Sequence, residues 1–131
     1  MAMPAVVKDM FSRRDTTKIL VTADSDGQPH AIVCGSTFVV DDNTLAVGEV
    51  LMTTTKDNMN VNNKVALEAI DGATAYEVRA TVLGRQENGP VLEKLNKELS
   101  KVRLTAGAVW LFTVDSVYDE SVGPNGGKRI A

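Results

Sequence analysis

The tract Thr53-Thr54-Thr55-Lys56 sets three hydroxyls and a cation in four consecutive residues, at the start of a stretch, 53–63, that has no β alternation. Hydroxyl donors, an ammonium and the unbonded N–H groups of a helix N-terminus together suit a phosphate, because each offers an anion a hydrogen bond or positive potential. A Ser or Thr ahead of a helix is also the ordinary way of capping one. Local pattern leaves both readings open. The single histidine and single cysteine, His30 and Cys34, stand four positions apart. On one extended strand they would share a face about 13 Å apart, at about 3.3 Å per residue. That is too far to share a metal or to form a nucleophile–base pair within one subunit. His30 therefore reads as a structural residue and Cys34 as a small buried hydrophobe.

Other familiar chemistries lack their residues. The chain has no GxSxG, no HExxH and no P-loop, so hydrolase and nucleoside-triphosphatase readings lose their usual support. The glycines from Gly123 to Gly127 have no strand–turn–helix context for a dinucleotide fingerprint. Trp110, on an apolar strand, reads as core. Lys128 and Arg129 read either as a basic end in solvent or as groups reaching a cofactor from a partner subunit, and Tyr76 and Arg79 fall on a plausible interface strand.

The elements that must position these residues follow from hydrophobic period. Val6, Val7, Met10 and Phe11 have helical spacing and predict a short helix over 4–14. A β-branched run over 18–23 meets the turn Asp24-Ser25-Asp26-Gly27, then extended patterns cover 30–40 and 44–48 around Asp41-Asp42-Asn43. These predict a three-strand meander. A short helix over 53–63 follows, then strands over 65–70 and 76–83 joined at Asp71-Gly72. Val91, Leu92, Leu95, Leu99 and Val102 define an amphipathic helix with Glu93, Lys94, Lys97, Glu98 and Lys101 outward. A sixth strand covers 109–117, and the rest is expected to be a tail without periodicity. Six mostly consecutive strands and two or three short helices predict a mainly β, antiparallel sheet that curls into a barrel, since a parallel doubly wound sheet needs helices between its strands.

Composition bounds the rest. A chain of 131 residues with 44% hydrophobic content suffices for one domain, 1–131, that buries roughly 65–70% of its unfolded surface. One cysteine makes no internal disulfide, and no apolar run approaches the roughly 20 residues of a membrane span. With no secretory pattern at the N-terminus, a cytoplasmic protein is expected. A net charge of −3 and 5% aromatic residues argue against nucleic acid as a partner, local patches such as Arg13-Arg14 aside.

The order of these elements and several segments resembles the pyridoxamine-5′-phosphate-oxidase-like split-barrel FMN-binding family, in particular its short single-domain members. The carriers are Asp26-Gly27-Gln28-Pro29-His30 entering the second strand and Asn43-Thr44-Leu45-Ala46-Val47-Gly48. The stretch from Thr53 to Leu67 looks like a hydroxyl and basic phosphate tract followed by Asn58-Met59, Asn62 and Val65-Ala66-Leu67. A Trp110 strand leading to Val117-Tyr118-Asp119 and the close Gly126-Gly127-Lys128-Arg129-Ile130 complete it. The resemblance implies a six-stranded split barrel, a homodimer, and FMN in grooves between the subunits. Carried over by position, Val33, Cys34, Gly35 and Ser36 would line the isoalloxazine, largely through backbone groups. Gly48, Glu49 and Val50 would lie along the ring or ribityl chain. Thr53, Thr54, Thr55 and Lys56 would hold the phosphate, with Asn58 bracing the loop. It implies an oxidoreductase or electron carrier in which the flavin does the chemistry, so no catalytic side chain is nominated. Two alternatives remain: a flavin-free dimeric binding module in which 53–56 is only a cap, and a deazaflavin-dependent reductase on the same fold.

Overall fold

Alternation divides the sheet into two faces. In β1 (Thr17–Ala23) Lys18, Leu20 and Thr22 are buried and their neighbours are not, and β5 (Lys64–Asp71) repeats the pattern with Val65, Leu67 and Ala69. This is the burial of strands with one face on a core. The computed structural model describes residues 2–131. The other strands are β2 (Pro29–Val33), β3 (Thr37–Asp41), β4 (Thr44–Gly48), β6 (Thr74–Gln86), β7 (Val109–Asp119) and β8 (Lys128–Arg129). All pair antiparallel, in the order β2-β1-β5-β6-β7-β4-β3, with β8 added to β7.

Eight strands replace the six expected, for two reasons. The stretch 30–40 is not one strand: it breaks at Cys34–Ser36, where the Cys34 N–H donates to Lys18 O and the Cys34 carbonyl accepts from both the Thr37 N–H and its hydroxyl. The expected meander therefore becomes two hairpins, β1–β2 and β3–β4, at opposite edges of the sheet. The tail also holds a strand, because Lys128 and Arg129 pair with Asp119 and Tyr118. Since only three residues join β2 to β3, the two edges of the sheet stand at most about 13 Å apart at about 3.3 Å per residue. The sheet must curl round to bring them there. No ladder joins β2 to β3, so the curled sheet stays open at that seam.

Three α-helices, α1 (Ala5–Ser12), α2 (Thr54–Val61) and α3 (Pro90–Leu99), the last followed by a 3-10 turn (Ser100–Val102), complete the fold among the described residues. α1 drives Val7, Met10 and Phe11 into the interior beside Leu20, Leu67, Phe112 and Val117. α2 contributes Met59 to the same core and packs against β1 and β2. α3 lies on the outside, where Leu92, Leu95 and Leu99 cover Ala46 and Val109 with Phe38 and Leu111 around them. Asn96 ties its return loop down, donating to Ala106 O and accepting from the Ala106 N–H.

No helix covers the outer face of β2, β1, β5 and β6. The rows Val33–Ile19–Glu68–Glu77 and Ala31–Val21–Ala66–Arg79 run across it. Glu68 stands directly opposite Glu77, and burial, then the charges of Glu77 and Glu120, push its carboxyl above the usual carboxylate range. Its folded-state pKa thus exceeds the unfolded one, so the folded chain holds the proton longer and stability falls as pH rises through that window. Glu68→Gln is expected to raise the melting temperature by about 1–4 °C at neutral pH. The gain should vanish near pH 3.5, roughly where both states are protonated. A gain of the same size at both pH values would refute the like-charge account.

Candidate functional site

The chain leaves β4 at Gly48 and enters α2 six residues later. Two anchors fix the intervening corner: the Glu49 N–H donates to Ala108 O, and Met52 is buried in the main core. Between them Leu51 has φ of 51° and is 99% exposed. This left-handed residue turns the chain between β4 and α2, in a conformation that costs an L-residue about 1–2 kcal/mol.

At that first turn the hydroxyls do not cap the helix. Thr53 occupies the N-cap position with αR geometry and its side chain makes no capping hydrogen bond. The N–H groups of Thr54, Thr55 and Lys56 find no acceptor among the described residues. Thr53 and Thr54 are exposed, whereas Thr55 is 1% exposed and its Oγ1 has no hydrogen-bond partner. A buried hydroxyl left unpaired costs about 1–3 kcal/mol. Lys56 is half-buried and forms no ion pair among the described residues. Free helix N–H groups, an unpaired hydroxyl and an unpaired ammonium are the donor set of a phosphate monoester site. The residues present fit the phosphate end of FMN. Asn58, 5% exposed, donates from Nδ2 to Thr22 Oγ1 at 3.1 Å and so ties α2 to β1 beneath this turn.

Glu49 faces a different set of partners. Arg85 grips its two oxygens from Nε and Nη2, at 3.0 and 2.8 Å, and Trp110 Nε1 donates to Oε1 at 2.9 Å. The hydrogen bond from Arg85 is the main reason its carboxyl lies below the usual range; Trp110 and the charges of Arg85 and Lys56 act in the same direction. Sequence reading placed Trp110 in the core, where it is 3% exposed, but missed this clasp, whose members are 36 and 61 residues apart.

The remaining expected site residues gather around the β2–β3 break. Val33 ends β2 and is 73% exposed, Gly35 is exposed, and Cys34 is 5% exposed in the main core. Burial raises the Cys34 thiol above its ordinary pKa. Ser36 Oγ bridges to Gly48, accepting from its N–H and donating to its carbonyl, each at 3.1 Å. Gly48 lies beneath α3: a Cβ there would come within 2.5 Å of Leu95 Cδ2 and 3.2 Å of Ser36 Cβ. Val50 packs with the α3 cluster. The structure thus joins Ser36 to Gly48 and carries the chain through Glu49 to the α2 turn. The side chain of Cys34 and the glycine position at 48 face protein rather than solvent. In the tail, Lys128 and Arg129 are exposed on β8, and the Arg79 guanidinium sits 4.0 Å from the centre of the Tyr118 ring.

No family model and no curated protein sequence matches the chain. Solved structures do. HupZ from Group A Streptococcus is 23% identical with a TM-score of 0.80, over 95% of this chain and 99% of that one. A candidate pyridoxamine 5′-phosphate oxidase from Lactobacillus delbrueckii is 26% identical with a TM-score of 0.73, over 89% and 93%. An FMN-binding protein from Syntrophomonas wolfei is 13% identical with a TM-score of 0.74, over 82% and 78%. An F420 reductase and HutZ, the haem storage protein of Vibrio cholerae, have the same fold with TM-scores of 0.68 and 0.64. Proteins of one fold here carry different ligands in their names, so the ligand must be argued from the site.

Proposed function

Because the chain has the split-barrel fold of the pyridoxamine-5′-phosphate-oxidase-like family, we propose that it is a homodimeric, cytoplasmic FMN-binding protein serving as an oxidoreductase or electron carrier. The observation that supports this most directly is Thr55 Oγ1, buried and unpartnered at the open N-terminus of α2. A phosphate monoester supplies the acceptor that this hydroxyl and the N–H groups of Thr54, Thr55 and Lys56 lack, and Lys56 balances its charge. Bound FMN would supply the electron transfer. The polypeptide then has three tasks: holding the phosphate at 53–56, presenting the backbone of 33–36 and 48–50 along the ring, and keeping Asn58 locked to Thr22 so that the turn stays in place.

A second copy supplies what the ring lacks on its other side. The bare outer face of β2, β1, β5 and β6 presents Ala31, Val33, Ile19, Val21 and Ala66, small or branched apolar side chains that a flat partner surface can cover. Ala66→Arg should convert a dimer to a monomer, as read by sedimentation equilibrium, without unfolding the domain. A monomeric parent protein, or a variant that stays dimeric, would remove this face from the proposal.

The test of the cofactor is absorbance titration of the purified protein with FMN, together with the spectrum of whatever copurifies from the native source. Stoichiometric, saturable FMN binding is expected. A copurified deazaflavin spectrum would transfer the site to the alternative reductase reading, and absence of any binding would leave the flavin-free module.

A further inference from the structure

A cleft of about 450 Å³ opens between the end of α1, the start of β1, β3 and α3. It shares Gly35 and Ser36 with the β2–β3 break but none of residues 53–58. Five of the 14 lysines and arginines of the chain line it, Arg13, Arg14, Lys18, Lys94 and Lys101, against one of the 17 acidic residues, Glu98. In a chain of net charge −3 this is a concentrated positive surface.

Three carboxylates engage three of those cations. Arg13 pairs with Asp15 and Asp71, while Glu98 takes both Arg14 and Lys101. Lys18 and Lys94 are left without a carboxylate among the described residues. Lys94 is exposed at the rim, but Lys18 is 6% exposed, and its ammonium has a single acceptor, the Arg13 carbonyl. A buried ammonium with one neutral partner is costly. Burial holds its pKa below the ordinary lysine value. The walls beside it are apolar: Phe38, Leu95, Leu99 and Val102. The volume is that of pockets that take small organic ligands.

We propose that this cleft is a binding site for a small organic anion with an apolar body, its carboxylate meeting Lys18 and Lys94 and its body lying on Phe38, Leu95, Leu99 and Val102. The anion supplies the direct ion pair that Lys18 lacks, since Asp15 acts on it only at a distance, and the walls supply burial. The site stands whether or not the chain binds a flavin.

Calorimetric titration of the full chain with naphthalene-2-carboxylate, beside its neutral counterpart naphthalene-2-methanol, tests it. The carboxylate should bind saturably and the alcohol about tenfold to a hundredfold more weakly. Lys18→Met should weaken the carboxylate by the same factor and leave the alcohol unchanged. Lys94→Glu, at an exposed position that folding does not need, should weaken the carboxylate even if Lys18→Met fails to fold. Backbone amide resonances of Gly35, Phe38 and Leu99 should shift on addition, locating the ligand. Equal affinity for acid and alcohol, no saturable binding of the acid at millimolar concentration, or shifts confined to residues outside the cleft would each overturn the proposal.

Discussion

Thr55→Val should make the ligand-free protein more stable while making it a poorer FMN binder. The hydroxyl it removes is buried and bonds to nothing, so the folded state gains most of the roughly 1–3 kcal/mol that an unsatisfied buried group costs. Valine has nearly the shape and helix propensity of threonine, so little is lost elsewhere. In the FMN complex the same change deletes a charge-assisted hydrogen bond to phosphate, about 1.5–3 kcal/mol or roughly tenfold to a hundredfold in affinity. Urea unfolding without ligand and FMN titration read the two effects separately. Thr54→Val, at an exposed position one residue earlier, should leave stability within about 0.5 kcal/mol. If Thr55→Val instead lowered stability and left FMN affinity alone, the hydroxyl would be a structural group and the phosphate site would lie elsewhere.

How far that site could be read in advance depends on which contacts are local. The hydroxyls and the lysine are consecutive, so the donor set at 53–56 was visible as residue types. Capping and anion binding use the same types, and only the geometry of Thr53, whose side chain caps nothing, separates them. The face of α3 was legible because Leu92, Leu95 and Leu99 repeat at helical spacing and all three are buried. The break at Cys34–Ser36 was not. Val33-Cys34-Gly35-Ser36-Thr37 suits an extended strand, and the bond from the Cys34 N–H to Lys18 only continues the β1–β2 register; what bends the chain is the turn in which the Thr37 N–H and hydroxyl both donate to the Cys34 carbonyl. β8 is hidden as well: two residues carry no period, and bonds from Gly127 to Asp119 and from Ile130 to Val117 hold them in place. The cationic cleft depends on Lys18 and Lys94, 76 residues apart, lining one cleft, although Arg13-Arg14 already marked one of its edges in the sequence.

Glu49→Gln should do the reverse of Thr55→Val, lowering stability without loosening FMN. The carboxylate accepts three hydrogen bonds, two of them from Arg85, and its side chain is 14% exposed. Glutamine keeps one oxygen for Trp110 but turns an NH₂ group toward an Arg85 donor, a loss of about 1.5–3 kcal/mol. The effect depends on pH with a definite sign. Because the Glu49 pKa is lowered in the folded state, its contribution is complete above the usual carboxylate range and disappears as pH falls through the lowered value. The difference between parent and variant in urea unfolding should therefore be largest at neutral pH and shrink as pH falls through and below the usual carboxylate range. For FMN the argument runs the other way. The Glu49 charge acts on Lys56, so neutralising it leaves more positive potential for a phosphate at the α2 turn. Affinity should hold or rise. A fall of about tenfold or more, with stability unchanged, would mean that the Glu49 carboxylate leaves Arg85 to contact the cofactor, and that the clasp belongs to the ligand-free state alone.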